Sequence, residues 1–181
     1  MPDRAYDRNR LKALVHYVIW KAGAHPDFGA TKLNKIAWFS DAKSYVLTGQ
    51  SITGAPYTRQ EHGPVPRDIM PIRDQLVSDG AIKQWKDRKY SKPVWCFRSL
   101  QTPDQNAFSS NERKTIDYWI DTIVKEHTAE SASELSHDYG WEIAKMGETL
   151  PFYSVLAERV RAPVGEELEW AKKTAREMGL I

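Results

Sequence analysis

The sequence predicts a mainly α fold of the α+β class: a compact helical domain carrying a small antiparallel β-hairpin. Three observations predict it. Apolar residues recur at helical spacing through most of the 181 residues. Capping signals and glycines mark where helices start and stop. One stretch of β-forming residues, 81–98, is split by a polar loop.

Residues 8–22 read as the first helix, because Leu11, Leu14, Val15, Val18 and Ala22 share one face and Gly23 ends it. The second helix is expected over 32–47, with Thr31 as its N-cap. Leu33, Ile36, Ala37, Trp38 and Phe39 cover most of its circumference, the mark of a central helix. Residues 57–61 are short and extended and are available as a third strand beside the hairpin. Pro64 and Pro66 push Gly63 and Val65 out of the helical region, so His62-Gly63-Pro64-Val65 is a corner. A third helix begins near Asp68 or Ile69 and ends at Gly80, with Pro71 tolerable in its first turn and Ile69, Ile72 and Leu76 as its stripe. Residues 81–85 and 94–98 form the hairpin strands. Ser109-Ser110-Asn111-Glu112 is a capping box opening a long helix lined by Ile116, Ile120, Ile123 and His127. Ser131 and Glu134 read as a second box, on a short helix ending near Asp138. Residues 139–150 are expected to be irregular. A last helix runs from Pro163 to Gly179 with Leu168, Ala171, Ala175 and Met178 inward. These elements divide into a domain over residues 1–150 and a C-terminal helical extension, 151–181, packed on it.

A chain this long can bury about 70% of its unfolded surface without staples. Its 41% hydrophobic and 28% charged content is that of a soluble globular protein, and a net charge of +2 does not by itself argue for nucleic acid. The single cysteine, Cys96, excludes an internal disulfide and fits a reducing compartment. The first ten residues are polar, without the apolar segment of a secretory signal, and no apolar run approaches ~20 residues, so a cytoplasmic location and no membrane partner are expected.

Signatures of catalysis are missing: there is no Gly-rich phosphate loop, GxSxG or HExxH. Glu134-x-x-His137 has the spacing of a di-iron ligand pair, but that site needs a second copy and none exists. The plainer reading has Glu134 in a capping box and His137 in a buried hydrogen bond. Cys96 reads as a small core residue. No catalytic residue, metal or cofactor is expected. The hairpin is more telling. Lys83, Lys86, Arg88, Lys89, Lys92 and Arg98 face only Asp87 in charge, with Trp85, Tyr90 and Trp95 among them. Helices followed by a basic hairpin are the order of a winged-helix DNA reader, whose lysines would meet phosphates. Lysines guarding an exposed sheet edge, or a protein contact built on the aromatics, explain the same composition. If Ile82 and Val94 point inward, Trp85 and Trp95 both point outward beside Arg88, Lys89 and Tyr90. The flank of the central helix around Asp41 and Tyr45 is the alternative partner surface.

Three stretches together resemble the SocA-like antitoxin family, the Panacea domain. They are the helix carrying Lys32, Leu33, Lys35 and Ile36; the corner His62, Gly63, Pro64 and Val65; and Leu135, Ser136 and His137 followed by Trp141. The resemblance covers roughly residues 10–145. It implies a non-enzymatic antitoxin that neutralises a toxin encoded by an adjacent gene through stoichiometric protein contact. The corner is then scaffold. The alternatives are a winged-helix-like repressor, with its own operator as partner, and an adaptor presenting the toxin to a protease. Neither the toxin nor the oligomeric state is readable from the residues.

Overall fold

A computed structural model describes residues 3–89, 92–159 and 165–178. The expected class holds: the protein is mainly α, with helices α1 (Arg8–Ala22), α2 (Ala30–Thr48), α3 (Ile69–Ser78), α4 (Ser110–Glu126), α5 (Ala129–Leu135), α6 (Tyr139–Ile143) and α7 (Gly165–Glu177). The strands are β1 (Tyr57–Gln60), β2 (Gly63–Pro66), β3 (Ile82–Lys89), β4 (Lys92–Ser99) and β5 (Thr149–Leu150).

α2 is the central element, packing against α1, α4, α5 and β2. Burial runs round its whole circumference, from Leu33, Ile36 and Trp38 to the polar Lys32, Lys35, Ser40 and Asp41. It starts two residues earlier than the Thr31 cap predicts. Gly29 is the N-cap and has no side-chain hydrogen bond to offer. A Cβ there would lie 2.8 Å from Val94 Cγ1 and 3.1 Å from the Trp95 carbonyl oxygen, so close approach of β4 sets this helix start. α1 begins where expected because Asp7 accepts hydrogen bonds from the Asn9 and Arg10 amides. Pro71 sits in the first turn of α3, where its missing N–H costs nothing.

The strands correct the expected sheet. Residues 57–60 do not extend the hairpin. β1 pairs antiparallel with β2 on one side and β5 on the other, while β3 and β4 form a separate two-stranded sheet. The corner is thus itself a strand, and residues 139–150, expected to be irregular, supply α6 and β5. β2 is the edge of its sheet, the one place where Pro64 and Pro66 are tolerated.

The capping box at Ser109 and Glu112 forms as expected. The second box does not involve Glu134. Thr128 caps α5 reciprocally with Ser131, the helix ends at Leu135, and Asp138 caps α6. The core gathers Leu11, Leu14, Val18, Leu33, Ile36, Trp38, Tyr57, Ile72, Leu76, Phe97, Ile116 and Ile123. Phe152, just past the expected domain boundary, joins it and stacks on Trp38 with centroids 5.5 Å apart. In α7, Leu168 and Met178 are exposed, contrary to the inward stripe expected of them; Pro163 and Gly179 lie outside the described residues. Among the described residues no helix is long and apolar enough to cross a membrane.

Candidate functional site

Two features stand out: a buried polar cluster under the corner, and a cationic, aromatic face formed by α3 and the hairpin.

The cluster joins residues far apart in sequence. Lys35, on α2, is buried and donates from Nζ to the Pro64 carbonyl oxygen at 3.3 Å. Gly63 has φ +94°, a conformation side chains rarely adopt. A Cβ there would fall on Ser136 Oγ and Lys35 Nζ, with Lys35 Cε 3.2 Å away. α5 is tied to the same corner: Ser133 Oγ donates to the His62 carbonyl oxygen at 2.6 Å, and Ser136 Oγ donates to the Ser133 carbonyl oxygen at 2.6 Å. The His137 imidazole stacks on Trp141, with centroids 3.7 Å apart and rings 5° from parallel. Trp141 Nε1 donates to the Gln60 carbonyl oxygen at 3.0 Å, and the Arg59 guanidinium lies 4.2 Å from the indole. Lys32 and Leu33 are buried on α2, and Val65 packs against the core. The motif residues Lys35, His62, Gly63, Pro64, His137 and Trp141 therefore meet at one place. The expected hydrogen bond of His137 is not seen: among the described residues Nε2 is buried without a partner, and the ring is held by stacking. Burial, then the positive charges of Lys35 and Arg59, hold His137 below its ordinary pKa. Among the described residues no three His, Cys, Asp or Glu side chains are grouped to hold a metal.

Burial pushes the Lys35 amine down to about 7 from an ordinary 10.5. Between those values the unfolded chain holds the proton more tightly, so the stability linked to Lys35 rises with pH across that window and is lost as pH falls towards 7. Melting temperatures of wild type and Lys35→Met, compared at pH 7 and pH 9.5, should show the wild type gaining on the variant at the higher pH. A constant gap would mean that Lys35 titrates like a surface lysine.

The outer face differs from the expected patch. In the β3–β4 register Trp85 lies opposite Cys96 and Lys86 opposite Trp95. Directly opposed residues share a face, so the two indoles point to opposite sides of the ribbon. The premise of a common parity fails because Ile82 and Val94 are themselves on opposite faces. Trp85 is 38% exposed, with Lys83 Nζ 6.0 Å from its ring. Trp95 instead packs towards the core, with the Arg73 guanidinium 4.9 Å and Lys86 Nζ 5.1 Å from its ring. Arg88 is exposed on the Trp95 side of the ribbon. Lys89 is placed by its backbone opposite Lys92, and Tyr90 lies outside the described residues. Cys96 is buried, as expected of a core residue.

Asp41 is a second correction. It is fully buried, not on an exposed flank, and accepts from the Thr53 amide (2.9 Å), the Thr53 hydroxyl (2.5 Å) and the Tyr57 hydroxyl (2.9 Å). Its function is to pin the link after α2 to β1. Tyr45 is half-buried and stacked on Phe152, with centroids 5.8 Å apart.

Sequence reasoning passed over Arg73. It lies on the same stripe as Ile69, Ile72 and Leu76 and is 3% exposed. A charged residue at a core position of an amphipathic helix was the available signal. Its Nε and Nη2 donate to Gln84 Oε1 at 3.1 and 2.9 Å, and the guanidinium lies 4.8 Å from the Phe97 ring. Burial holds its pKa below the ordinary value, with Asp74 opposing.

A mainly helical domain built round a lysine-bearing central helix and a Gly-Pro corner is what the SocA-like resemblance anticipates. The family model for the SocA-like antitoxin, Panacea domain, matches residues 33–142, and the chain belongs to that family. The match runs from the first turn of α2 to within α6 and takes in the corner, the hairpin and the His137–Trp141 stack. No curated protein and no solved structure matches the chain.

Proposed function

We propose that this protein is an antitoxin that neutralises a toxin encoded beside it by stoichiometric contact, covering the toxin's working surface rather than turning anything over. The family assignment supports a protein partner. The observation that carries the reading is the β3–β4 ribbon. Trp85 is exposed beside Lys83, and Lys86, Asp87 and Arg88 following it are exposed as well. The ribbon's inner face packs on the core through Ile82, Trp95 and Phe97, whereas its Trp85 face leaves Lys83, Asp87 and Arg98 in water, so a partner that covers that face would take the indole out of solvent. Indoles beside cations are the residue types that dominate interface energetics.

The test is titration of the purified toxin. Protection should stop at one equivalent, and one molecule silencing many toxins without a protease would sink the reading. Trp85→Ala, folded by circular dichroism, should weaken toxin binding by about 2 kcal/mol, roughly thirtyfold. Lys86→Ala should cost much less and act through on-rate and salt dependence. A DNA-reading wing gives the reverse order, with duplex affinity falling steeply as salt rises. An adaptor gives toxin loss only when a cellular protease is present.

A further inference from the structure

Behind the hairpin lies an open groove of about 510 Å3, between the start of α2, β2, the start of α3 and Trp95. Its lining includes Asn34, Val65, Arg67, Met70, Arg73 and Trp95. Three features describe what would fill it. The charge is of one sign: Arg67 and Arg73 line the groove and no Asp or Glu does. The apolar surface is incomplete: Met70 is 50% exposed and Trp95 is only partly covered. Two buried polar groups are under-satisfied. Asn34 Oδ1 has no hydrogen-bond partner among the described residues. Arg73 gives one N–H to Met70 Sδ at 3.5 Å and two to Gln84 Oε1, and among the described residues no carboxylate pairs with it. A guanidinium has five N–H donors, so two remain. A cation this deeply buried, with Asp74 acting only from beyond ion-pair distance, is costly, and a carboxylate brought into contact with it would relieve that cost.

Resting on the antitoxin reading, we infer that this groove receives an acidic, extended segment of the toxin, a Glu or Asp carboxylate meeting Arg73 and Arg67 while a neighbouring apolar side chain lies on Met70 and Trp95. Asn34 Oδ1 is placed to accept a backbone N–H of that segment. The contact is made by side chains and not by adding a strand, because β2 is an edge carrying Pro64 and Pro66. A nucleic-acid backbone fits less well. Its phosphates are read by rows of solvent-facing cations, whereas Arg73 is 3% exposed beneath apolar walls.

Side-chain NMR of the whole chain tests this without the toxin. The probe is a capped hexapeptide alternating glutamate with leucine, and its control replaces glutamate by glutamine. Saturable shifts are expected at Arg73 Nε–H and Trp95 Nε1–H below about 1 mM acidic peptide, with the control and Arg67→Glu each at least about tenfold weaker. Arg67 is exposed and its side-chain hydrogen bond to Thr149 Oγ1, 2.7 Å, lies at the surface, so its reversal is expected to be tolerated, with circular dichroism as the check; Met70→Asp is a second variant needing no buried change. No saturation, an equal response to the glutamine peptide, or competition by an oligonucleotide of equal charge would overturn the assignment. With the toxin, Arg67→Glu and Met70→Asp should each lose at least about tenfold in affinity. If both bind it like wild type, the groove is not the contact, although the antitoxin reading stands. If wild type ignores the toxin but takes the acidic peptide, the groove's chemistry is supported and the antitoxin reading fails.

Discussion

Gly63→Val is expected to cost at least about 3 kcal/mol of stability and, on the antitoxin reading, to abolish neutralisation with it. A β-branched side chain held at φ +94° carries roughly 1–3 kcal/mol of backbone strain alone. The added carbon also falls on Ser136 Oγ and Lys35 Nζ. Neither can retreat cheaply. Ser136 is buried and bonded to the Ser133 carbonyl, and moving the Lys35 amine breaks its bond to Pro64 inside the core. For a domain of this size a loss of that order lowers the melting temperature by roughly 10 °C. A thermal melt decides it. A variant that melts like wild type yet fails to neutralise would make the corner a contact site.

Asp41→Ala is expected to cost about 3–5 kcal/mol, because it leaves the Thr53 amide and hydroxyl and the Tyr57 hydroxyl buried without their acceptor. Asp41→Asn retains one acceptor oxygen and should cost less. Urea titrations should rank wild type above Asn and Asn above Ala. If Ala equalled wild type, the carboxylate would not be holding the link. Burial raises the Asp41 carboxyl to about 6 against its hydrogen bonds, which lower it. The folded protein therefore binds this proton more tightly than the unfolded chain does. The stability linked to Asp41 is fully present below 3.8 and is lost as pH rises through about 6. The Asn variant, which cannot titrate there, should close on wild type across that interval.

The helices were legible where one local rule decided them. α1 has a clean apolar face and Gly23 at its end, and α4 has a Ser109–Glu112 box. The box at α5 was misplaced because Ser131-x-x-Glu134 matches the usual pattern better than the Thr128–Ser131 pair that forms. Asp41 was misjudged although its helix was read as central; its partner Tyr57 is on another strand, and no local pattern announces that bond. The two tryptophans were put on one side because facing follows from strand register, which a short sequence pattern does not determine. Family resemblance marked Lys35, Gly63 and His137 as belonging together. What each touches, and the buried Arg73 guanidinium held by Gln84, are tertiary facts.

Cys96 is the chain's single thiol and is 6% exposed on β4, its register partner being Trp85. A thiol-specific reagent therefore has one possible target and reaches it only when β4 parts from its surroundings. Labelling followed over time becomes a clock for that opening. Because Trp85 is the position opposite, a bound toxin that covers the ribbon would slow the clock, while one that docks elsewhere would leave local opening at its free rate.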